Sequence, residues 1–138
     1  MVFDGRGFAR KIEEDLKKSG KLSGKKLLMI SEDPENIYVK LKKECGERLG
    51  VEVEIKGFFD FAQNDIDEAS GAMVQLPVKD KKVLDLIPLD KDVDGLRTGS
   101  KFLPAAVVAV EKILKEAEKS GAFYFDIFLK TAVVGAKG

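Results

Sequence analysis

Asp33-Pro34-Glu35-Asn36-Ile37-Tyr38-Val39-Lys40-Leu41-Lys42 follows directly on Lys26-Leu27-Leu28-Met29-Ile30-Ser31, and this junction decides the fold class. The earlier run is apolar and of strand length, so it reads as a strand buried on both faces. The later stretch reads as the start of a helix. Asp33 is a candidate cap, and Pro34 suits the first helical position because its missing N–H would be unpaired there anyway. Ile37, Leu41, Cys45 and Leu49 recur at every fourth position and form one apolar stripe, with Gly50 as the stop. Tyr38 and Lys42 share the same spacing, so their side chains meet on the flank of that stripe. An amine beside a phenol, half out of water, makes a candidate acid/base pair. The plainer alternative is an amphipathic helix with a surface tyrosine and one of many lysines.

Working outward, residues 4–19 read as a first helix with Phe8, Ile12 and Leu16 inward, Asp4 as cap and Gly20 as stop. Val51 to Ile55 alternates as a strand with one wet face. Three aromatics in Gly57-Phe58-Phe59-Asp60-Phe61 suggest core packing or a flat pocket. Gln63 to Ser70 has room for a helical turn or two, and Gly71 to Leu76 reads as a third strand ended by Pro77. Asp80 to Leu86 suggests a short helix, and Pro88 to Gly95 a solvated, turn-rich acidic loop. Leu103 to Lys119 reads as a long helix with Val107, Val110, Ile113, Leu114 and Ala117 inward. Phe123 to Leu129 is strongly β-forming. Strands alternating with helices predict an α/β domain with a mainly parallel sheet flanked by helices. In such sheets ligands sit beyond the carboxyl ends of the strands, where Tyr38, Lys42, Gln75 and Asp94 are expected to converge.

Composition narrows the chemistry. The chain has 138 residues, 44% of them hydrophobic, which suffices for one domain with its own core. Lys+Arg and Asp+Glu are both 24, so net charge gives no case for a nucleic-acid or anionic-membrane partner. The absence of histidine excludes Ser-His-Asp and Cys-His catalysis and any His-ligated metal. A single cysteine, Cys45, excludes an intramolecular disulfide. The carboxylates Asp85, Asp90, Asp92 and Asp94 lack the pattern of a calcium loop. Met1 to Gly5 does not read as a signal peptide and no apolar run reaches membrane-spanning length, so a cytoplasmic location is expected.

Three motifs in this order carry a family resemblance: Tyr38-Val39-Lys40-Leu41-Lys42, Val74-Gln75-Leu76-Pro77 and Asp90-Lys91-Asp92-Val93-Asp94-Gly95. Together with Asp4-Gly5 before the first helix, they resemble the N-terminal catalytic domain of the methylenetetrahydrofolate dehydrogenase/methenyltetrahydrofolate cyclohydrolase family. The resemblance covers roughly residues 1–135. It implies Lys42 as catalytic acid/base, Tyr38 packed on the folate, and Gln75 near the reacting centre. It implies Asp94 as acceptor for the pterin's amino group and ring N–H. The chemistry agrees with those roles. A pterin is flat with a donor edge, so a carboxylate recognises it and an aromatic ring walls it. A lysine base must shed its proton readily, which burial and neighbouring cations such as Lys40 and Lys43 would promote.

The departures from the family pattern are specific. Glu35 stands where the family usually has serine, and it is placed to pair with a lysine. Gln75-Leu76-Pro77-Val78-Lys79 lacks the second proline of Q-L-P-L-P, and a short segment replaces the loop that leads to P-C-T-P. The helix expected between the second and third strands is reduced to Gln63–Ser70. Residues 131–138 resemble the first strand of a nicotinamide-binding domain, but Gly135-Ala136-Lys137-Gly138 is no dinucleotide fingerprint. The expectation is therefore a catalytic domain over 1–130 and a tail over 131–138, with the nucleotide-binding Rossmann domain absent. No cofactor is then bound by this chain alone, although NADP is expected in full-length relatives. A tetrahydrofolate derivative would be the substrate and cyclohydrolase the surviving activity. A homodimer, a separate nucleotide-binding domain, a split enzyme and a non-catalytic binding or interaction module stay open as alternatives.

Overall fold

The computed structural model describes residues 4–97 and 99–119. Three parallel strands form its centre: β1 (Lys26–Ser31), β2 (Glu52–Gly57) and β3 (Gly71–Val74), in the order β2-β1-β3. The central strand is the apolar run, and its last four residues are buried as a two-faced strand requires. Helix α1 (Gly5–Ser19) precedes β1, α2 (Ile37–Arg48) joins β1 to β2, and α3 (Gln63–Glu68) joins β2 to β3. A 3-10 helix (Lys81–Leu86) and α4 (Ala105–Lys119) follow. The α/β expectation with a parallel sheet therefore holds. The expected strand over 123–129 and the tail over 131–138 lie outside the described residues.

The sheet has a different apolar layer on each face. On one side Leu28, Ile30, Ala72 and Val74 pack with Ile66 and Ala69 around α3 and with Val83 and Ile87 around the 3-10 helix. Phe58 and Phe61 close its margin. Phe59 is 93% exposed and stands edge-on to Phe58, so only two of the three aromatics serve the core. On the other side Met29, Val53 and Met73 meet α2 through Val39. Gly46 permits that approach, because a Cβ there would come within 2.5 Å of the Val53 side chain.

Several boundaries differ from the sequence reading. Helix α2 begins at Ile37, with the Asn36 side chain accepting from Tyr38 N at 2.8 Å. Asp33 instead closes the preceding turn, accepting from Glu35 N through its carboxylate and from Asn36 N through its carbonyl. Asn36 wins because Pro34 and Glu35 belong to that turn. The stripe is also rotated. Val39 is the fully buried residue of α2, whereas Ile37 and Leu41 are exposed. Strand β3 ends at Val74, before a cis Leu76–Pro77 peptide bond. Helix α4 starts after Pro104 and buries Leu114 and Ala117, while Val107 is more than a third exposed and Leu16 of α1 is exposed as well.

Candidate active site

The site forms where β1 and β3 end, at the edge predicted for an open α/β sheet. After Ser31 the chain turns sharply. The buried Ser31 hydroxyl donates to the Asp33 carbonyl at 2.9 Å and accepts from Asp33 N at 3.1 Å. This turn delivers α2 with Tyr38 and Lys42 on it. After Val74, Gln75 N donates to the Ile30 carbonyl at 2.8 Å, which fixes Gln75 beside the end of the central strand. The Glu32 carboxylate accepts from Lys79 N at 2.7 Å and ties the two post-strand loops together.

These supports bring Lys42 and Gln75 into contact. The Lys42 ammonium donates to Gln75 Oε1 at 2.7 Å, and Gln75 Nε2 donates to the Leu76 carbonyl at 2.9 Å. Gln75 is thus held with its oxygen toward the amine, since its NH2 is occupied on the other side. Lys42 is an exposed residue rather than a buried one. Glu35 does not reach it: its carboxylate pairs with Lys40 at 2.7 Å, both groups well exposed. Lys42 is thereby left to Gln75, and the lysine that Glu35 pairs with is Lys40. Tyr38 is 62% exposed one turn before Lys42 and offers an open aromatic face.

Asp94 arrives from the acidic loop, which is not the solvated turn expected from sequence. Within it, Asp92 is only 2% exposed. Its carboxylate accepts from Gly95 N and Arg97 N, each at 3.1 Å, while Ala72 N donates to the Lys91 carbonyl at 2.8 Å and anchors the loop to β3. The Lys91 ammonium donates to the Ile66 and Asp67 carbonyls at the end of α3. In Lys91-Asp92-Val93-Asp94-Gly95 the first charge holds a helix end, the second holds the loop, and the third faces the site. Gly95 completes the turn at φ +65, where a Cβ would meet the Leu103 carbonyl at 2.6 Å. Asp94 is half-buried, and burial pushes its carboxyl above the ordinary value. The Lys42 charge opposes that rise and Asp92 adds to it. Lys42 therefore faces Gln75 by contact and Asp94 through its field. Beside Lys42 a cavity of about 500 Å³ opens over the sheet, lined by Cys45, Leu49 and Val51 on one side and Gly71, Met73 and Val93 on the other.

No family model matches the chain. Individual proteins do. The chain is 30% identical to the bifunctional protein FolD of Bacillus licheniformis, over 82% of its own length and 49% of that protein. It is 32% identical to the FolD protein of Bacillus subtilis, over 83% of its own length and 52% of the relative. Among solved structures, FolD methylenetetrahydrofolate dehydrogenase/cyclohydrolase from Campylobacter jejuni superposes with a TM-score of 0.66 at 29% identity, covering 83% of this chain and 52% of that one. The chain is a homologue of the FolD proteins. It spans about half the length of the curated relatives it matches. A methylenetetrahydrofolate dehydrogenase from Bombyx mori gives a TM-score of 0.67 at 24% identity and supports the fold alone.

Of the residues singled out from sequence, the FolD homologue thus brings Lys42 into contact with Gln75 and its charge to bear on Asp94, with Tyr38 one helical turn away. What the sequence reading missed is the support beneath them. Asp92 was grouped with its acidic neighbours, and its burial had no signal of its own beyond a glycine three residues later. Among the described residues, no group of three or more His, Cys, Asp or Glu is placed to hold a metal ion, and no helix is long and apolar enough to cross a membrane.

Proposed function

We propose that the chain is a folate-dependent catalytic domain of one-carbon metabolism. Its reaction is the hydrolysis of methenyltetrahydrofolate to formyltetrahydrofolate, and the domain extends over residues 1–130. The observation that carries this reading is the 2.7 Å bond between Lys42 and Gln75, in the field of a half-buried Asp94 at the strand ends. Homology to enzymes named for this chemistry supports it.

The methenyl bridge is a cationic electrophile, so water adds to its carbon once a proton is removed. Lys42, as the amine, takes that proton while Gln75 orients the Nζ. The adduct's hydroxyl then loses its proton to solvent as one of the two C–N bonds breaks, and Lys42 returns its own proton to the departing nitrogen, so one proton is released overall. Water is consumed and the formyl group stays on the other nitrogen. Tyr38 supplies a flat wall for the pterin, and the Asp94 carboxylate accepts from its amino and ring N–H groups.

NADP supplies a hydride acceptor in the dehydrogenase reaction of FolD proteins. The turn from β1 to α2 does not fit its pyrophosphate: it is Ser31 to Asn36, with Glu32 and Asp33 in place of glycines. No step here passes through that cofactor. The exposed apolar side chains of Ile37, Tyr38 and Leu41 along α2 favour a second reading, half of a split enzyme that needs a nucleotide-binding partner for hydride transfer.

The test of the first reading is turnover of methenyltetrahydrofolate, followed by loss of its absorbance. Lys42→Met is expected to lower turnover by about a thousandfold, within the range of general acid/base catalysis. Unchanged turnover in that variant defeats the mechanism.

A further inference from the structure

The two outer strands of the sheet have different edges. Beyond β3 the acidic loop covers the edge: Ala72 and Asp92 form a parallel bridge, and Ala72 N donates to the Lys91 carbonyl at 2.8 Å. Beyond β2, among the described residues, no strand follows, and β2 pairs with β1 alone. Glu52 N donates to the Lys25 carbonyl at 2.9 Å, so the backbone of Glu52, Glu54 and Lys56 turns toward β1. Val53 and Ile55 therefore turn their N–H and C=O groups outward, where no described residue bonds to them. The edge also lacks the usual guards. It has no proline and a continuous register, and the charge of Lys56 is matched by Glu54 at 3.1 Å and Asp65 at 3.9 Å.

We propose that β2 pairs antiparallel with β2 of a second copy of this chain, across a twofold axis at Ile55. A pairing in which residues directly opposite share a face can be centred on Val53, Glu54 or Ile55. Centred on Val53, Glu52 meets the partner's Glu54. Centred on Glu54, that residue meets the partner's Glu54. Both place like charges directly opposite. Centred on Ile55, Glu54 faces the partner's Lys56 and Lys56 faces the partner's Glu54, at the non-hydrogen-bonded positions where side chains lie closest. On the other face Ile55 meets the partner's Ile55, and the two exchange N–H···O=C bonds. Val53 stands opposite the partner's Gly57, which has no side chain to obstruct it. Phe59, 93% exposed and two residues beyond the end of the strand, is carried toward the partner's Val51. The contact is isologous and closes at two copies. A strand of six residues on each side makes a small interface, so the dimer is weak.

The experiment is sedimentation equilibrium of the 138-residue chain across a wide concentration range, with amide hydrogen exchange at both limits. Wild type is expected to show a monomer–dimer equilibrium with Kd on the order of 100 µM. The Ile55 amide, fast to exchange in dilute protein, becomes protected as the dimer fills. Lys56→Glu sets a carboxylate against the partner's Glu54 and is expected to weaken the dimer about tenfold. Phe59→Ala is expected to weaken it about threefold. Thermal melts establish that each variant is folded, and Phe59→Ala, at an exposed side chain, serves as the test if Lys56→Glu does not fold. A chain that stays monomeric at about 1 mM, or a dimer equally tight in both variants, overturns the pairing. So does an Ile55 amide that exchanges at the same rate at both limits, whether fast or slow.

Discussion

The two faces of the sheet are built for different purposes. Among the described residues, the face covered by α3 and the 3-10 helix buries eight in one cluster, including the fully buried Leu28, Ile30 and Ile66. The face covered by α2 buries four, and a cavity of about 500 Å³ remains beside Lys42. One face closes the core, and the other leaves a cavity that runs from Lys42 toward the starts of β1 and β3. The difference separates the closed core from the candidate site: the residues that hold the fold lie under one layer, and the Lys42–Gln75 contact lies at the rim of the other.

The comparison breaks most visibly in the closed layer. Ile66→Ala removes a fully buried side chain from a packed site and is expected to cost about 2–4 kcal/mol of stability, read from denaturant midpoints at unchanged slope. A loss under 1 kcal/mol would mean that this layer is as loose as its counterpart.

A smaller loss belongs to the support of the site. Asp92→Ala leaves the N–H groups of Gly95 and Arg97 without their acceptor and should destabilise by about 1–3 kcal/mol. Folate affinity should fall with it, because Asp94 sits on the same turn. An isolated stability change with intact affinity would show that the turn keeps its shape unaided.

The smallest effect sharpens the comparison instead of breaking it. Burial raises the Asp94 carboxyl, so the folded chain holds that proton more tightly than the unfolded chain does. The ionised group therefore costs stability above its raised pKa, and the cost disappears as pH falls through that pKa. Asp94→Asn is expected to raise the melting temperature slightly at neutral pH, with the gain vanishing in acid. A variant that melts lower at neutral pH would place Asp94 among the structural residues.

Legibility in the sequence follows the same division. Lys26 to Ser31 was readable because a strand buried on both faces needs an unbroken apolar run, and its predicted bounds match the observed strand. The ends of α1 were readable because Asp4 and Gly20 act as caps. The start of α2 was not, because Asp33 and Asn36 are both good caps and only the turn at Ser31 decides between them. The inward face of α2 was also misread: a four-residue repeat marks a stripe but not which side the sheet takes, and Val39 faces it. At the candidate site, Lys42, Gln75 and Asp94 were singled out through motif order. Lys91 and Asp92 were not, since a charge that holds backbone looks in sequence like a charge facing water.

The most direct test of the central claim is calorimetric titration with folinate of wild type and Asp94→Ala, with thermal melts confirming that both are folded. The account predicts saturable binding by wild type that is lost in the variant. Equal binding by the two proteins, or none by wild type at millimolar ligand, would contradict a folate site built on Asp94 beside Lys42 and Gln75.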